Sequence, residues 1–257
     1  MIQTVLYDGS YQGFLCAIFD VFDYKFSQVD ICTKDRFKGN IFEKVHQVHH
    51  NKEHSERVLK GLKQKVSGET LLDFYRAFLS EKEGIENTLL QFVQYVFSNK
   101  NSVEKDFSHP AVIAIADIVK KVRREKHRME AFIRFQKTRD GMFYAIIEPD
   151  YNVLPLIIRH FKNRYADQKW IIYDTRRKYG IHFDGTICSE ITIDFSTKTS
   201  DANDTESQFD EQEELYQKLW HSYFKSINIE ARKNTKLHLQ HVPRRYWKYL
   251  TEKQVMA

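Results

Sequence analysis

Cysteine is scarce: Cys16, Cys32 and Cys188 are the only three in 257 residues, and none stands in a CxxC pair. An odd, widely spaced set argues against a disulfide framework and against a zinc or iron–sulfur site. Proline (4) and glycine (9) are few, which excludes a low-complexity chain built on them. No apolar run approaches the ~18 residues of a membrane span. The opening MIQTVLYDGSYQG has no basic region of the kind that begins a signal peptide. A cytoplasmic protein without membrane contact is expected. Equally missing are GxxxxGKS or GxxxxGKT, GxGxxG after a strand, GxSxG, HExxH and CxxxCxxC. Nucleotide hydrolysis, Rossmann redox chemistry, serine hydrolysis and radical SAM chemistry by this chain itself lose support. No cofactor is expected.

What is present is core-forming material. Hydrophobic residues make up 42% and aromatics 14%, beside 29% charged residues, so most of the chain should fold. At roughly 100 to 200 residues per domain, one domain over 1–257 is expected. Lys plus Arg (40) exceed Asp plus Glu (35), a net +5, which is a mild bias towards polyanions.

The pattern along the chain predicts an α+β fold with a helical N-terminal half, a central mostly antiparallel sheet, and a C-terminal helix and tail. Ile2 to Tyr7 is a short β-prone run, ended by Asp8-Gly9-Ser10. There Ser10 can cap a helix carrying Phe14, Leu15, Ile18, Phe19 and Phe22. A second strand is possible over Asn40 to Val48. Residues 53–66, 70–80 and 86–98 show helical spacing, with Gly68 and Gly84 in the gaps as helix stops. His109-Pro110 opens a long helix. AFIRFQKT and MFYAIIEP flank Arg139-Asp140-Gly141 as a hairpin, and KWIIYD, GIHFD and TICSEITIDF read as strands after a helix over 151–165. Between Asp194 and Glu214 there are eight acids against Lys198, which predicts a mobile loop at 196–210. Glu211 to Ile227 is amphipathic.

Two basic stretches stand out. From Lys120 to Arg139 nine cations oppose Glu125 and Glu130, net +7. On the helix, Val119, Val122, Met129 and Ile133 face one way, while Lys120, Arg123, Arg124, His127 and Arg128 face the other. Such a row suits phosphates, because arginine forks bind them bidentately, although a solvated or internally paired face would also account for it. The last 30 residues carry seven cations against two acids, net +5, interleaved with Tyr246, Trp247 and Tyr249. Aromatics beside arginines hold single strands by stacking, whereas the bland reading docks those rings on the core. The helix and the tail are expected to be neighbours and to form one surface.

Candidate acid–base groups are His127, Glu148, His160 and Asp174. Asp174 stands among Arg176 and Arg177 and could simply order them. Glu148-Pro149-Asp150 ends a strand, where Asp150 or Asn152 could cap the next helix. His46, His49, His50 and His54 with Glu53 invite a metal reading. No metal is expected, because several of these positions would be exposed.

Four blocks carry a resemblance: YDGSYQGFLCAIFDVF, VRREKHRMEAFIRF, YAIIEPDYNVLPLIIRHFKNRYADQKWIIYDTRRKYG and SINIEARKNTKLHLQHVPRRYWKYLTEK. Together they resemble the bacterial family called probable DNA metabolism protein. That family is a domain of unknown function that occurs as partner of a putative DNA-repair radical SAM protein and is sometimes fused to a uracil-DNA-glycosylase-type domain. The resemblance implies DNA or another nucleic acid and a radical SAM protein as partners. The expected role is that of a nucleic-acid-binding accessory factor in DNA repair or modification. Arg124, Arg128, Arg164, Arg232 and Arg245 are the phosphate candidates, and Trp170 and Trp247 the stacking candidates. An enzyme acting on a nucleobase or nucleotide by acid–base chemistry, or a pure protein-interaction subunit, are the alternatives.

Overall fold

The computed structural model describes residues 2–37, 39, 44–138, 141–192, 242–250 and 253. The acidic loop expected at 196–210, the amphipathic run Glu211–Ile227 and Arg232 lie outside the described residues. The fold is α+β, and the chain forms two compact units, Met1–Arg123 and Arg124–Ala257. Among the described residues no helix is long and apolar enough to cross a membrane.

The first unit is built on a parallel sheet of order β2-β1-β3, with β1 at Gln3–Tyr7, β2 at Val29–Thr33 and β3 at Lys44–Gln47. Parallel neighbours need a crossover, and helix α1 (Tyr11–Asp23) supplies it between β1 and β2. The corner before α1 is built from short side chains. Gly9 sits at φ +86, where a β-carbon would be strained. The Gly13 N–H donates to Ser10 Oγ at 2.9 Å, as an N-cap should. Asp8 accepts from the Ser10 amide and hydroxyl at 2.9 and 2.7 Å, and a β-carbon on Gly13 would collide with that carboxylate.

Helices α2 (Lys52–Lys65), α3 (Gly68–Phe78), α4 (Ile85–Ser98) and the start of α5 (Pro110–Phe132) complete this unit. Phe14 of α1 stacks on Phe74 and Phe78 of α3 in its core. Gly68 and Gly84 do not stop helices. Gly68 is the first residue of α3, behind the Ser67 cap, and Gly84 is the N-cap of α4. Strand β2 is an addition to the sequence reading. Val29-Asp30-Ile31-Cys32-Thr33 buries Ile31 alone, too little apolar alternation to register.

The second unit holds a five-stranded sheet of order β4-β5-β6-β7-β8, with strands at Gln136–Lys137, Phe143–Ile147, Trp170–Asp174, Tyr179–Phe183 and Cys188–Ile191. Only β5 and β6 pair in parallel, across helix α6 (Leu154–Arg164), so the sheet is mostly antiparallel. The expected hairpin exists, but its first strand is two residues long. Ala131 and Phe132 belong to α5, whose helical period persists where AFIRF suggested a strand. Gly141 takes φ +82 at the turn. Ile157, Phe161, Trp170, Ile172 and Phe183 are the heart of this core, and a 3₁₀ segment, Arg244–Tyr249, adds Tyr246.

Candidate nucleic-acid interface

Helix α5 carries one acid on its buried side. Ile118, Val122, Glu125 and Met129 follow each other at helical spacing and are all buried. A buried carboxylate is costly unless it is paired and hydrogen-bonded. Glu125 Oε1 accepts the Asp150 amide N–H at 2.9 Å. Its Oε2 accepts from Arg245 Nη2 at 2.7 Å and from the Tyr246 hydroxyl at 2.6 Å, with Arg128 Nη1 4.0 Å away. Arg245 also binds the Asp150 carboxylate. Burial, and then the hydrogen bond to Glu125, push the Tyr246 phenol up to about 12.

The basic helix and the tail are therefore neighbours, but Arg245 is turned inward onto two carboxylates. Arg128, half-buried, lies beside the same Glu125. Arg245 thereby ties the 3₁₀ segment to α5, while the Arg128 pair lies within α5 itself, and internal pairing is the bland reading of both. Elsewhere on α5, Lys126 pairs with Glu130 of the same helix at 2.5 Å, and Arg123 is bound by Glu69 and Asp73 of α3.

The acid–base candidates do not share a set of partners. Glu148 accepts from Lys248 and, at 2.8 Å, from the Tyr249 hydroxyl. The Lys248 hydrogen bond, with that from Tyr249, holds its carboxyl below the usual range. His160 has Nδ1 3.9 Å from Glu130, and its buried Nε2 makes no hydrogen bond among the described residues. Asp174 is fully buried. Its Oδ1 accepts the backbone N–H groups of Arg176 and Arg177 at 2.9 and 3.2 Å, and its Oδ2 accepts Arg177 Nη1 at 2.9 Å. Arg177 in turn donates to the carbonyls of Pro149 and Asp150 at 3.1 and 3.2 Å. Asp174 thus orders the β6–β7 turn and its arginine. His127 is exposed on α5.

Trp170 is corrected outright as a stacking residue. It is 1% exposed and its ring meets Phe161, Phe183 and Phe135, so no face is open to a base. Trp247 is half-buried; its Nε1 donates to the Val242 carbonyl at 3.1 Å, and the cations of Arg244 and Lys253 stand 5.9 and 5.4 Å from the ring centroid. Arg164 is exposed, with its guanidinium 5.7 Å from the Tyr165 ring. The expected helix caps also differ: the N-cap of α6 is Val153, which offers no side-chain cap, Asn152 accepts the Tyr179 hydroxyl at 2.5 Å, and Asp150 serves Arg245.

Among the described residues no group of three His, Cys, Asp or Glu side chains could hold a metal ion. His46 and His54 flank Asp20, at 2.7 and 3.9 Å, while His49 and His50 stand exposed outside that group.

Residues 83–252 match the family model of DUF4130, a domain of unknown function. The chain belongs to the DUF4130 family. The acid–base, phosphate and stacking candidates all lie inside the DUF4130 span, whereas the histidines of the metal reading and β1 to α3 precede it. No curated protein matches the chain. What the sequence reading missed within the span is the acidic half of the site: Glu125, Asp150 and the Tyr246 hydroxyl. For Glu125 a signal exists, since it falls in register with Val122 and Met129 on the apolar side.

Proposed function

We propose that this DUF4130 protein binds nucleic acid as an accessory factor of DNA repair or modification, acting beside a radical SAM enzyme. The observation that carries the reading is the outward row of α5. Lys120, Lys121, Arg124 and His127 are exposed and stand in no ion pair among the described residues. On α5, carboxylates have taken up Arg123 and Lys126, and Arg128 lies beside Glu125, so these four remain. Lys120, Arg124 and His127 recur at i, i+4 and i+7, a span of about 10 Å at ~1.5 Å per residue. Laid along a duplex axis, that matches roughly three phosphate steps of one strand, each a rise of ~3.4 Å. Lysine and arginine at such spacing neutralise a phosphate backbone without reading its sequence, and an imidazole beside them can hydrogen-bond to it. The DNA setting and the radical SAM partner come from the family resemblance of the four sequence blocks. For the acid–base alternative there is no comparable observation, since Glu148, His160 and Asp174 each answer to separate neighbours.

The test is the salt dependence of binding to fluorescein-labelled single-stranded and duplex DNA. The slope of log affinity against log salt should be negative. In Arg124→Glu its magnitude should fall by about 0.7–0.9 for each phosphate no longer neutralised, with the thermal midpoint unchanged. Absence of binding at low salt, or an affinity indifferent to salt, would overturn the proposal.

A further inference from the structure

The first unit contains a groove that the nucleic-acid reading does not use. A cavity of about 890 Å³ lies between strand β2 and helix α4, with Val29, Asp30 and Ile31 on one wall and Glu83, Asn87 and Gln91 on the other. Its size is within the ~300–1,000 Å³ of ordinary ligand sites. Among the described residues β2 is an edge strand, paired with β1 alone. The Gln3 N–H donates to the Gln28 carbonyl at 2.8 Å, so the even residues of β2 turn their peptide groups towards β1. By the alternation of a strand, Val29 and Ile31 turn theirs into the groove.

One of these outward groups is already satisfied in an informative way. The Ile31 N–H donates to Asn87 Oδ1 at 2.9 Å, and Asn87 Nδ2 donates to Asp30 Oδ1 at 2.6 Å. A carboxamide is chemically a peptide unit, so Asn87 stands where the carbonyl of a neighbouring strand would stand. The charge lining the groove then selects the occupant. Arg36 is turned onto the Glu81 carbonyl at 2.6 Å and towards Glu86 at 3.5 Å, and Glu86 also accepts the Tyr7 hydroxyl. Asp30, which accepts from Asn87, and Glu83 are exposed carboxylates that line the groove. A phosphate backbone is repelled here, and a lysine or arginine side chain is attracted.

We propose that this groove takes an extended, lysine- or arginine-bearing segment of a partner protein. The segment adds as a strand along the outer edge of β2 at Val29 and Ile31, its carbonyl displacing Asn87 from Ile31 and its cation facing Asp30 and Glu83. Main-chain hydrogen bonds supply affinity in this mode, and alternate side chains supply specificity. An exposed edge of this kind is otherwise a liability that proteins cover or charge.

The experiment uses the full chain and two capped seven-residue peptides, one alternating valine and lysine, the other valine and glutamate. The lysine peptide should slow hydrogen exchange at the Val29 amide and shift the side-chain amide signals of Asn87, with at least tenfold tighter binding than the glutamate peptide. Glu83→Lys should narrow that preference, and Asp30→Lys with Glu83→Lys should invert it. Equal binding of both peptides, no protection of Val29 at millimolar lysine peptide, or protection of Val29 by a single-stranded oligonucleotide instead would overturn the proposal. Asn87→Ala adds a further check. If it makes the protein self-associate while neither peptide binds, Asn87 is merely a guard on the edge and the docking site does not exist.

Discussion

Arg245→Ala separates the two readings of the tail arginine. Arg245 holds Glu125, whose side chain is 2% exposed, and keeps 38% of its own side chain in water. Removing one member of a fully buried pair costs ~3–5 kcal/mol, because the other charge is left uncompensated. Solvent screens part of that here, and the Tyr246 hydroxyl and Asp150 amide still reach Glu125. The expected loss is therefore about 2 kcal/mol, in the range of one charge-assisted hydrogen bond. For a domain of this size that lowers the thermal midpoint by about 4–8 °C. Calorimetry on Arg245→Ala, Glu125→Gln and the double variant measures it. The double variant should lose less than the two single losses added together, because a neutral carboxamide in place of the Glu125 carboxylate needs no guanidinium. An unchanged midpoint in Arg245→Ala, together with a clear loss of DNA affinity, would refute the reasoning and return Arg245 to the phosphate contacts.

Alkaline pH should unfold the protein in a defined window. Burial raises the phenols of Tyr7, Tyr11, Tyr179 and Tyr246 in the fold, the last to about 12. A group whose pKa is raised on folding contributes stability that is complete below its unfolded value, near 10, and is lost as pH rises through the folded value. Chemical denaturation at stepped pH should show falling stability between about pH 10 and 12, and a flat profile there would show that these phenols reach solvent. Trp170→Ala should cost ~3–5 kcal/mol by opening a cavity in the aromatic core, whereas Trp247→Ala, half-buried, should cost less; equal costs by thermal melting would contradict the placement of Trp170. Asp174→Asn should destabilise through Arg177, which loses its buried counter-ion, without changing the salt slope of DNA binding; a changed slope would place that carboxylate at the interface.

Elements that obey one local rule are legible in the sequence. The β1 turn and the start of α1 follow from Gly9 and Ser10, the helices from their apolar spacing, and β6 and β7 from short apolar runs between turn residues. β2 is not legible, because an edge strand that buries only Ile31 lacks the alternation that marks a half-buried one. β4 is overstated by its sequence, because Ala131 and Phe132 suit either period and the helix already under way incorporates them. The candidate site is half legible for a related reason. Counting cations along α5 and the tail is a local operation, and it finds Arg124, Arg128 and Arg245. Which carboxylate each one meets is a long-range property: Arg245 and Glu125 are 120 residues apart. Their pairing turns an apparent ligand contact into an internal tie.

That separation has a consequence for biosynthesis. Translation proceeds at ~5–20 residues per second, so Glu125 leaves the peptidyl-transferase centre about 6–24 s before the codon for Arg245 is read. Throughout that interval its carboxylate has neither its guanidinium nor the Tyr246 hydroxyl, and it must stay hydrated. The C-terminal part of α5 therefore cannot finish burying its inner side while the five strands are being made. Closure of the second unit around Glu125 is a late event that waits for Arg245 and Tyr246. A chain arrested just upstream of Arg245 would carry the complete five-stranded sheet and still present an open, hydrated seam along α5 to proteases and chaperones.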